Sequence, residues 1–364
     1  MKIVVYAIAK NEGFFVDRWM DSMSEADQVV VLDTGSDDGT AERLQARGAQ
    51  VTVERIAPWR FDQARNRSLE LVPEDTDVCV CTDLDEVFHP GWRSALEEVW
   101  TPETRQASYR YTWSFQPDGS EGVVFWQEKI HARRGFRWVH PVHEVLEWVG
   151  EGERGPLALA QGVQLDHHPD PQKSRGQYLP LLELSVAEDP EDDRNLHYLG
   201  REYLYYGRWD DCIRTLTRHL DLPSAVWRDE RAASMRYIAR AHAQKGERDE
   251  SRDWYLRAAA EAPHLREPWV DLAMLLYEDQ EWDGVLYATT CALKIRERPR
   301  TYICEAEAWG GLPHDLRCQA YYHTGRLPQA LEEARLALAA APSDPRLAGN
   351  AALLEKMAGT AGEL

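Results

Sequence analysis

The chain changes its hydrophobic grammar near residue 170. Before that point, short continuous apolar runs alternate with stretches of helical spacing. Ile3–Ala9 is a strand-length apolar run, and Gln28–Leu32 (QVVVL) and Val78–Thr82 (VCVCT) are two more, with a shorter strand at Gln50–Val53. Between them, Phe14–Met23, Thr40–Arg47 and Asp62–Leu71 carry apolar residues at helical spacing. Buried β-branched runs separated by helices predict a parallel, helix-covered sheet. From Ser108 to Asp166 the text becomes aromatic-rich with shorter strands, as in SYRYTWSF and GVVFWQEKIHARR.

After about residue 175 the pattern is helical throughout. Tyr206-Gly207-Arg208-Trp209, Lys245-Gly246-Glu247, Asp279-Gln280-Glu281-Trp282 and Thr324-Gly325-Arg326 each separate two amphipathic stretches. These turns recur at intervals of about 34 to 45 residues, the period of tetratricopeptide (TPR) arrays. The alternative is an ordinary helical bundle. The expected division is a domain over residues 1–172 followed by an all-α TPR-like domain over 173–364.

Charge narrows the function classes. The chain has 364 residues, with 42 Lys+Arg against 62 Asp+Glu, for a net charge of −20. That argues against non-specific binding to DNA or anionic membrane, but leaves room for a local basic patch. No apolar run reaches the roughly 20 residues of a membrane span. The N-terminus reads as a buried strand rather than a signal peptide. The six cysteines show no zinc-finger spacing, and reduced core thiols in a cytoplasmic protein are expected.

Ligands of parallel sheets lie beyond the carboxyl ends of the strands. Three motifs fall there. Asp83-Leu84-Asp85-Glu86 follows the VCVCT strand, and two carboxylates two residues apart can share a hard divalent cation. Asp33-Thr34-Gly35-Ser36-Asp37-Asp38-Gly39-Thr40 is a strand–turn–helix joint. There Asp33 can accept from a base or ribose or, alternatively, form a plain Asx turn. Ala7-Ile8-Ala9-Lys10-Asn11-Glu12 places polar groups just past the first strand. A fourth segment, Phe61-Asp62-Gln63-Ala64-Arg65-Asn66, can present Arg65 to a diphosphate or form a salt-bridged helix face.

In that order, IAKNE, LDTGSDDGT, ARN and DLDE resemble the family-2 glycosyltransferases of the GT-A fold. The segment Trp138-Val139-His140-Pro141-Val142-His143-Glu144, the strand Gln164-Leu165-Asp166-His167-His168 and the helical tail resemble the branch that includes the glycocin S-glycosyltransferases.

The resemblance implies an α/β fold, with a Rossmann-like GT-A nucleotide-sugar domain ahead of the TPR-like tail. It implies a metal-dependent inverting transferase that uses a UDP-sugar. Ala7, Lys10, Asn11, Glu12, Asp33, Arg65, Asp83, Leu84 and Arg175 would face the donor. Asp85 and His167 (His168 being the other choice) would hold Mn2+ or Mg2+. Glu144, or else His143, would be the general base. The acceptor would be a peptide or protein, a glycan or a modified nucleobase, and the tail would bind it or form a homodimer. One or two of Trp113, Phe115, Trp126, Trp138 and Trp148 would touch sugar. Two other readings compete. In one, the TPR-like array is itself the function and the first domain is an inactive companion. The other is a nucleotidyltransferase, although KNEGFF lacks the Gly-rich basic loop those enzymes carry. Zinc catalysis is disfavoured because HPVHE departs from the HExxH order.

Overall fold

The computed structural model of the chain describes residues 1–116, 118–170 and 176–361. It divides into two compact units, Met1–Ser185 and Val186–Leu364, against the expected division at 172/173.

The first unit is a mixed α/β structure. Its strands are β1 (Ile3–Ala9), β2 (Gln28–Asp33), β3 (Gln50–Val53), β4 (Val78–Cys81), β5 (Glu86–Phe88), β6 (Gln106–Thr112), β7 (Val124–Ala132), β8 (Phe136–Val139), β9 (Val145–Trp148) and β10 (Leu157–His167). The helices are α1 (Val16–Ser22), α2 (Thr40–Ala46), α3 (Phe61–Glu70) and α4 (Trp92–Glu97), with α5 (Tyr178–Glu188) carrying the chain across the division. Eight strands form one sheet in the order β3-β2-β1-β4-β7-β6-β10-β5, and β8 and β9 form a separate hairpin. β3, β2, β1 and β4 run parallel, as the apolar runs predict. β7 then enters antiparallel between β4 and β6, and β5 closes the far edge antiparallel to β10.

The sheet is covered on both faces. Alternate residues of a strand point to opposite sides. Ile3, Val5 and Ala7 therefore join Trp19, Met23, Val80 and Leu96 in one core. Val4 and Tyr6 join Leu69, Cys79, Cys81 and Trp138 in the other. Burial holds the Cys79 thiol up at about 12 and that of Cys81 at about 11, so both stay protonated.

The second unit is a row of helical hairpins: α6 (Asp193–Tyr205) with α7 (Trp209–Asp221), α8 (Arg228–Gln244) with α9 (Arg248–Glu261), α10 (Glu267–Glu278) with α11 (Trp282–Lys294), and α13 (Leu312–His323) with α14 (Leu327–Ala340). A short α12 (Ala306–Trp309) precedes the fourth pair, and α15 (Pro345–Ala361) packs on its end. Each pair is joined by the same turn. Gly207, Gly246, Gln280 and Gly325 hold positive φ, from 59° to 78°. The residue after each donates its N–H to a carbonyl five positions back, as in Arg208 to Tyr203 and Glu281 to Leu276, both 2.9 Å. This is the Schellman end of a helix, which satisfies carbonyls the helix leaves unpaired. Seven residues before each turn stands a small residue: Gly200, Ala239, Ala273 and Cys318. A Cβ on Gly200 would come within 2.3 Å of Leu216, so the small side chain sets how closely α6 and α7 approach. The first helices of the pairs, α6, α8, α10 and α13, also pack on one another in sequence, forming an inner row. Among the described residues, no helix is long and apolar enough to cross a membrane.

Candidate functional site

The strand ends of the first unit gather the motifs singled out by sequence. The loop after β1 is sewn to the turn after β2. Asn11 N–H donates to Ser36 Oγ at 2.8 Å, Glu12 N–H to Thr40 Oγ1 at 2.9 Å, and Asp37 N–H to Asn11 Oδ1 at 2.9 Å. Asn11 adopts a φ of 55° to make these bonds, and Lys10 projects to solvent. Asp33 forms the Asx turn, accepting from Gly35 and Ser36 N–H at 2.9 and 2.7 Å. Its other oxygen, Oδ2, is buried without a hydrogen-bond partner among the described residues. Ala7 and Leu84 place their side chains in the core.

Asp83 and Asp85 part company. Asp83 is held by two cations: Arg65 Nη2 lies 2.7 Å from Oδ1 and Lys129 Nζ lies 3.1 Å from Oδ2. Burial would raise this carboxyl, but those neighbours outweigh it and hold the group far below the usual carboxylate range. Arg65 is almost fully buried and otherwise committed. Its Nε reaches Glu144 at 2.5 Å, Nη1 donates to Cys81 Sγ at 3.3 Å, and the guanidinium lies over the Trp138 ring. Lys129, from the middle of β7, also approaches Glu86 at 3.4 Å, and Tyr111 O–H donates to that same carboxyl at 2.8 Å. Burial raises Glu86 above its ordinary value. Asp85 points elsewhere. Its Oδ2 is 3.5 Å from His167 Nε2, while His167 Nδ1 lies 2.9 Å from the Trp113 carbonyl and the ring stacks on Trp113. Burial lowers the His167 pKa, but Asp85 and the Trp113 carbonyl outweigh it and leave it raised. His168 stacks on Phe115, with its pKa lowered first by burial and then by Arg18.

The structure thus brings Arg65, Asp83 and Glu144 into one network and Asp85 and His167 into one pair. His143, at φ 52°, stacks on Tyr178. Arg175 lies outside the described residues. Lys129 and Tyr111 have no place in the motif reading, because they arrive from strands that the sequence does not pair, and Glu86 stands in the DLDE motif without a role assigned to it. The outcome is an ion network of two cations, Arg65 and Lys129, and three carboxylates, Asp83, Glu86 and Glu144. Arg65 spends Nε, Nη1 and Nη2 on Glu144, Cys81 and Asp83, and the Glu144 carboxylate is engaged by that guanidinium.

The second unit offers a different surface. On the inner row, Arg236 is wholly buried and pairs with Asp271 and Glu305, both at 2.9 Å, while Arg240 reaches the same two carboxylates at 3.0 Å. Glu305 is not helical. It ends the segment after α11, which also stacks Tyr302 on Tyr198 of α6, with its hydroxyl donating to Glu230 of α8. Further along α6, Arg194 and Arg201 lie over Tyr198 at 4.9 and 4.7 Å from the ring centre. No ion pair joins either to a carboxylate among the described residues.

No family model matches the chain. Among solved structures it is similar to the protein MamA, at 18% identity over 44% of this chain and 84% of that one, with a TM-score of 0.36. It is similar to TTC0263, a thermophilic TPR protein of Thermus thermophilus, at 19% identity over 48% and 88%, with a TM-score of 0.36. It is also similar to YrrB, a TPR protein with an unusual peptide-binding site, at 13% identity over 49% and 84%, with a TM-score of 0.38. The likeness is to TPR proteins. None of these structures is a glycosyltransferase. The expectation of a family-2 glycosyltransferase is therefore corrected. With it go the enzyme assignment and the transfer from a UDP-sugar donor.

Proposed function

We propose that the chain is an interaction scaffold whose TPR-type helical unit binds an extended acidic segment of a peptide or protein along the inner row of helices. One observation carries the reading. The inner row already grips a carboxylate from a non-helical segment, Glu305, between Arg236 and Arg240. A second pair of guanidiniums, Arg194 and Arg201, flanks Tyr198 in the same row, and guanidinium forks suit carboxylates. The net charge of −20 opposes an acidic partner at long range. Screening confines that repulsion to about 8 Å at physiological salt, so local contacts decide.

The test is fluorescence anisotropy of labelled Glu/Asp-rich peptides with the full chain, alongside isosteric Gln/Asn peptides. Binding of the acidic set that weakens at least tenfold in Arg194→Glu/Arg201→Glu supports the reading. Equal binding of both sets, or no effect of the double substitution, removes it. In this reading the first unit is a folded companion.

A divalent ion there, Mn2+ or Mg2+, rests on Asp85 and His167, because Arg65 and Lys129 already occupy Asp83. Mn2+ binding by electron paramagnetic resonance, compared between wild type and Asp85→Asn, tests it without reference to any reaction. Loss of the bound signal in Asp85→Asn supports the site, and an unchanged signal removes it.

A further inference from the structure

His197 of α6, His219 of α7 and Glu230 of α8 meet inside the first three helices of the array. All three are buried, and one ligand atom from each lies within 4.8 Å of the others. His219 Nε2 is 3.5 Å from Glu230 Oε1. The two imidazoles share a support. His197 Nδ1 is 2.8 Å and His219 Nδ1 3.0 Å from the same hydroxyl, Ser234 Oγ, one turn beyond Glu230 on α8. The second carboxylate oxygen of Glu230 accepts from Tyr302. Both Nε2 atoms are fully buried and have no hydrogen-bond partner among the described residues.

One protonation pattern open to this arrangement leaves both Nε2 atoms bare. A serine oxygen has two lone pairs. If both Nδ1 atoms carry hydrogen and donate to Ser234, both Nε2 atoms present bare lone pairs to one interior point, beside a carboxylate oxygen. A water there has two hydrogens for three acceptors and leaves one unmet. A cation satisfies all three. We infer that His197, His219 and Glu230 form a structural zinc site that ties α6, α7 and α8 together, with Ser234 and Tyr302 orienting the ligands.

The donor set selects the metal. Two imidazoles and a carboxylate suit Zn2+ and not the oxygen-seeking Mg2+ or Ca2+. Burial, with the guanidiniums of Arg201 and Arg194, holds the His197 pKa down at about 3, so the ring is neutral, the form that ligates metal. Tyr302 donates to Oε2 of Glu230, which leaves Oε1 on the side of the imidazoles. Hydrogen bonds that orient ligating histidines and carboxylates are the usual outer shell of such sites.

The experiment strips the full chain with chelator and titrates it with Co2+, reading visible d–d absorption. The expected result is tetrahedral cobalt bands that saturate at one equivalent, are displaced by Zn2+, and are lost in His197→Ala and His219→Ala. Ser234→Ala is expected to weaken uptake about 10- to 100-fold. Because the alanine variants can lose fold, ring-nitrogen NMR of the wild type decides independently. Zn2+ should shift the Nε2 resonances of both His197 and His219. Absence of the bands, or bands that survive in a folded His219→Ala, overturns the site in favour of a His219–Glu230 ion pair. Unmoved Nε2 resonances overturn it as well.

Discussion

Each unit buries an arginine in an ion network, of five charged groups in the α/β unit and four in the helical unit, and the two networks are built differently. In the α/β unit, Arg65 serves Asp83 and Glu144, while Lys129 serves Asp83 and Glu86. Only Asp83 has two cations. In the helical unit, Arg236 and Arg240 both serve both acids, Asp271 and Glu305. The first network is a chain and the second a closed square. Removing one cation from a chain strands the acid at its end, whereas a square retains one cation for every acid. The comparison also separates the two carboxylates of one acidic motif. DLDE looks like an open ligand cluster until β7 delivers Lys129 and α3 delivers Arg65. Surface pairs such as Arg335–Glu355 matter far less, at about 0–1 kcal/mol each.

The largest expected effect tests that difference. Arg65→Met leaves Glu144 without its cation and Asp83 with half of its partners. Breaking a buried pair by removing one partner costs about 3–5 kcal/mol. Asp83 keeps some solvent and Lys129, so the lower end of that range is expected here, near 3 kcal/mol. Arg236→Met leaves Asp271 and Glu305 still paired to Arg240, and about half that loss is expected. Chemical denaturation with hydrogen-exchange mass spectrometry separates the units. Equal losses, or a larger loss at Arg236, would break the chain-and-square distinction.

A smaller effect comes from two buried histidines. In the α/β unit, His131 Nε2 bonds Tyr6 O–H at 2.7 Å and Nδ1 bonds the Ala132 carbonyl at 2.8 Å, while Trp138 Nε1–H donates to Tyr6. Burial lowers its pKa to about 4, and that of His197 to about 3. Both folded values lie below the unfolded one, near 6.5. The unfolded chain therefore binds more protons between those limits. The contribution is whole above pH 6.5 and is lost as pH falls, about 2 kcal/mol for each unit by pH 5. Hydrogen exchange at pH 7 and pH 5 should show both units opening more readily in acid. His131→Gln should flatten the pH dependence of the α/β unit alone. A helical unit that is insensitive to pH in this range after metal is stripped would contradict a neutral, buried His197.

Much of the framework is legible in the sequence. β1, β2 and β4 are continuous apolar runs because both faces of the sheet are covered, and the four hairpin turns show as Gly-Arg, Gly-Glu or Gln-Glu breaks between amphipathic stretches. The place of the strand-end cluster is legible too, since Asp33 and Asp83 end such runs. Its state of pairing is not, because Lys129 and Tyr111 come from strands whose neighbours are set by non-local pairing. β7 enters antiparallel beside β4, and no local pattern announces that. Resemblance of ordered motifs led to a glycosyltransferase reading that the comparisons overturn. The cluster of His197, His219, Glu230 and Ser234 has no sequence signature, because its members come from three helices. Tyr302 and Glu305 escaped notice for a related reason. They sit in a connection between helices, where periodicity carries no information.

The smallest effect concerns backbone strain, which the two units also place differently. Non-glycine residues at positive φ are Asn11, His140 and His143 in the α/β unit and Gln280 in the helical unit. Asn11 is held there by its bonds to Ser36 and Asp37, and His143 by its stack on Tyr178. Gln280 stands where the three equivalent turns have glycine, and the turn needs only its backbone. A left-handed conformation costs a side chain roughly 1–2 kcal/mol, and glycine offsets part of that gain through the freedom it has when unfolded. Gln280→Gly is therefore expected to stabilise the helical unit by up to about 1 kcal/mol, while Asn11→Gly destabilises the α/β unit. The measurement is the midpoint of denaturant unfolding for each variant. A Gln280→Gly chain that unfolds earlier would mean that the glutamine side chain contributes to the turn, and that strain in both units is held in place by side-chain bonds.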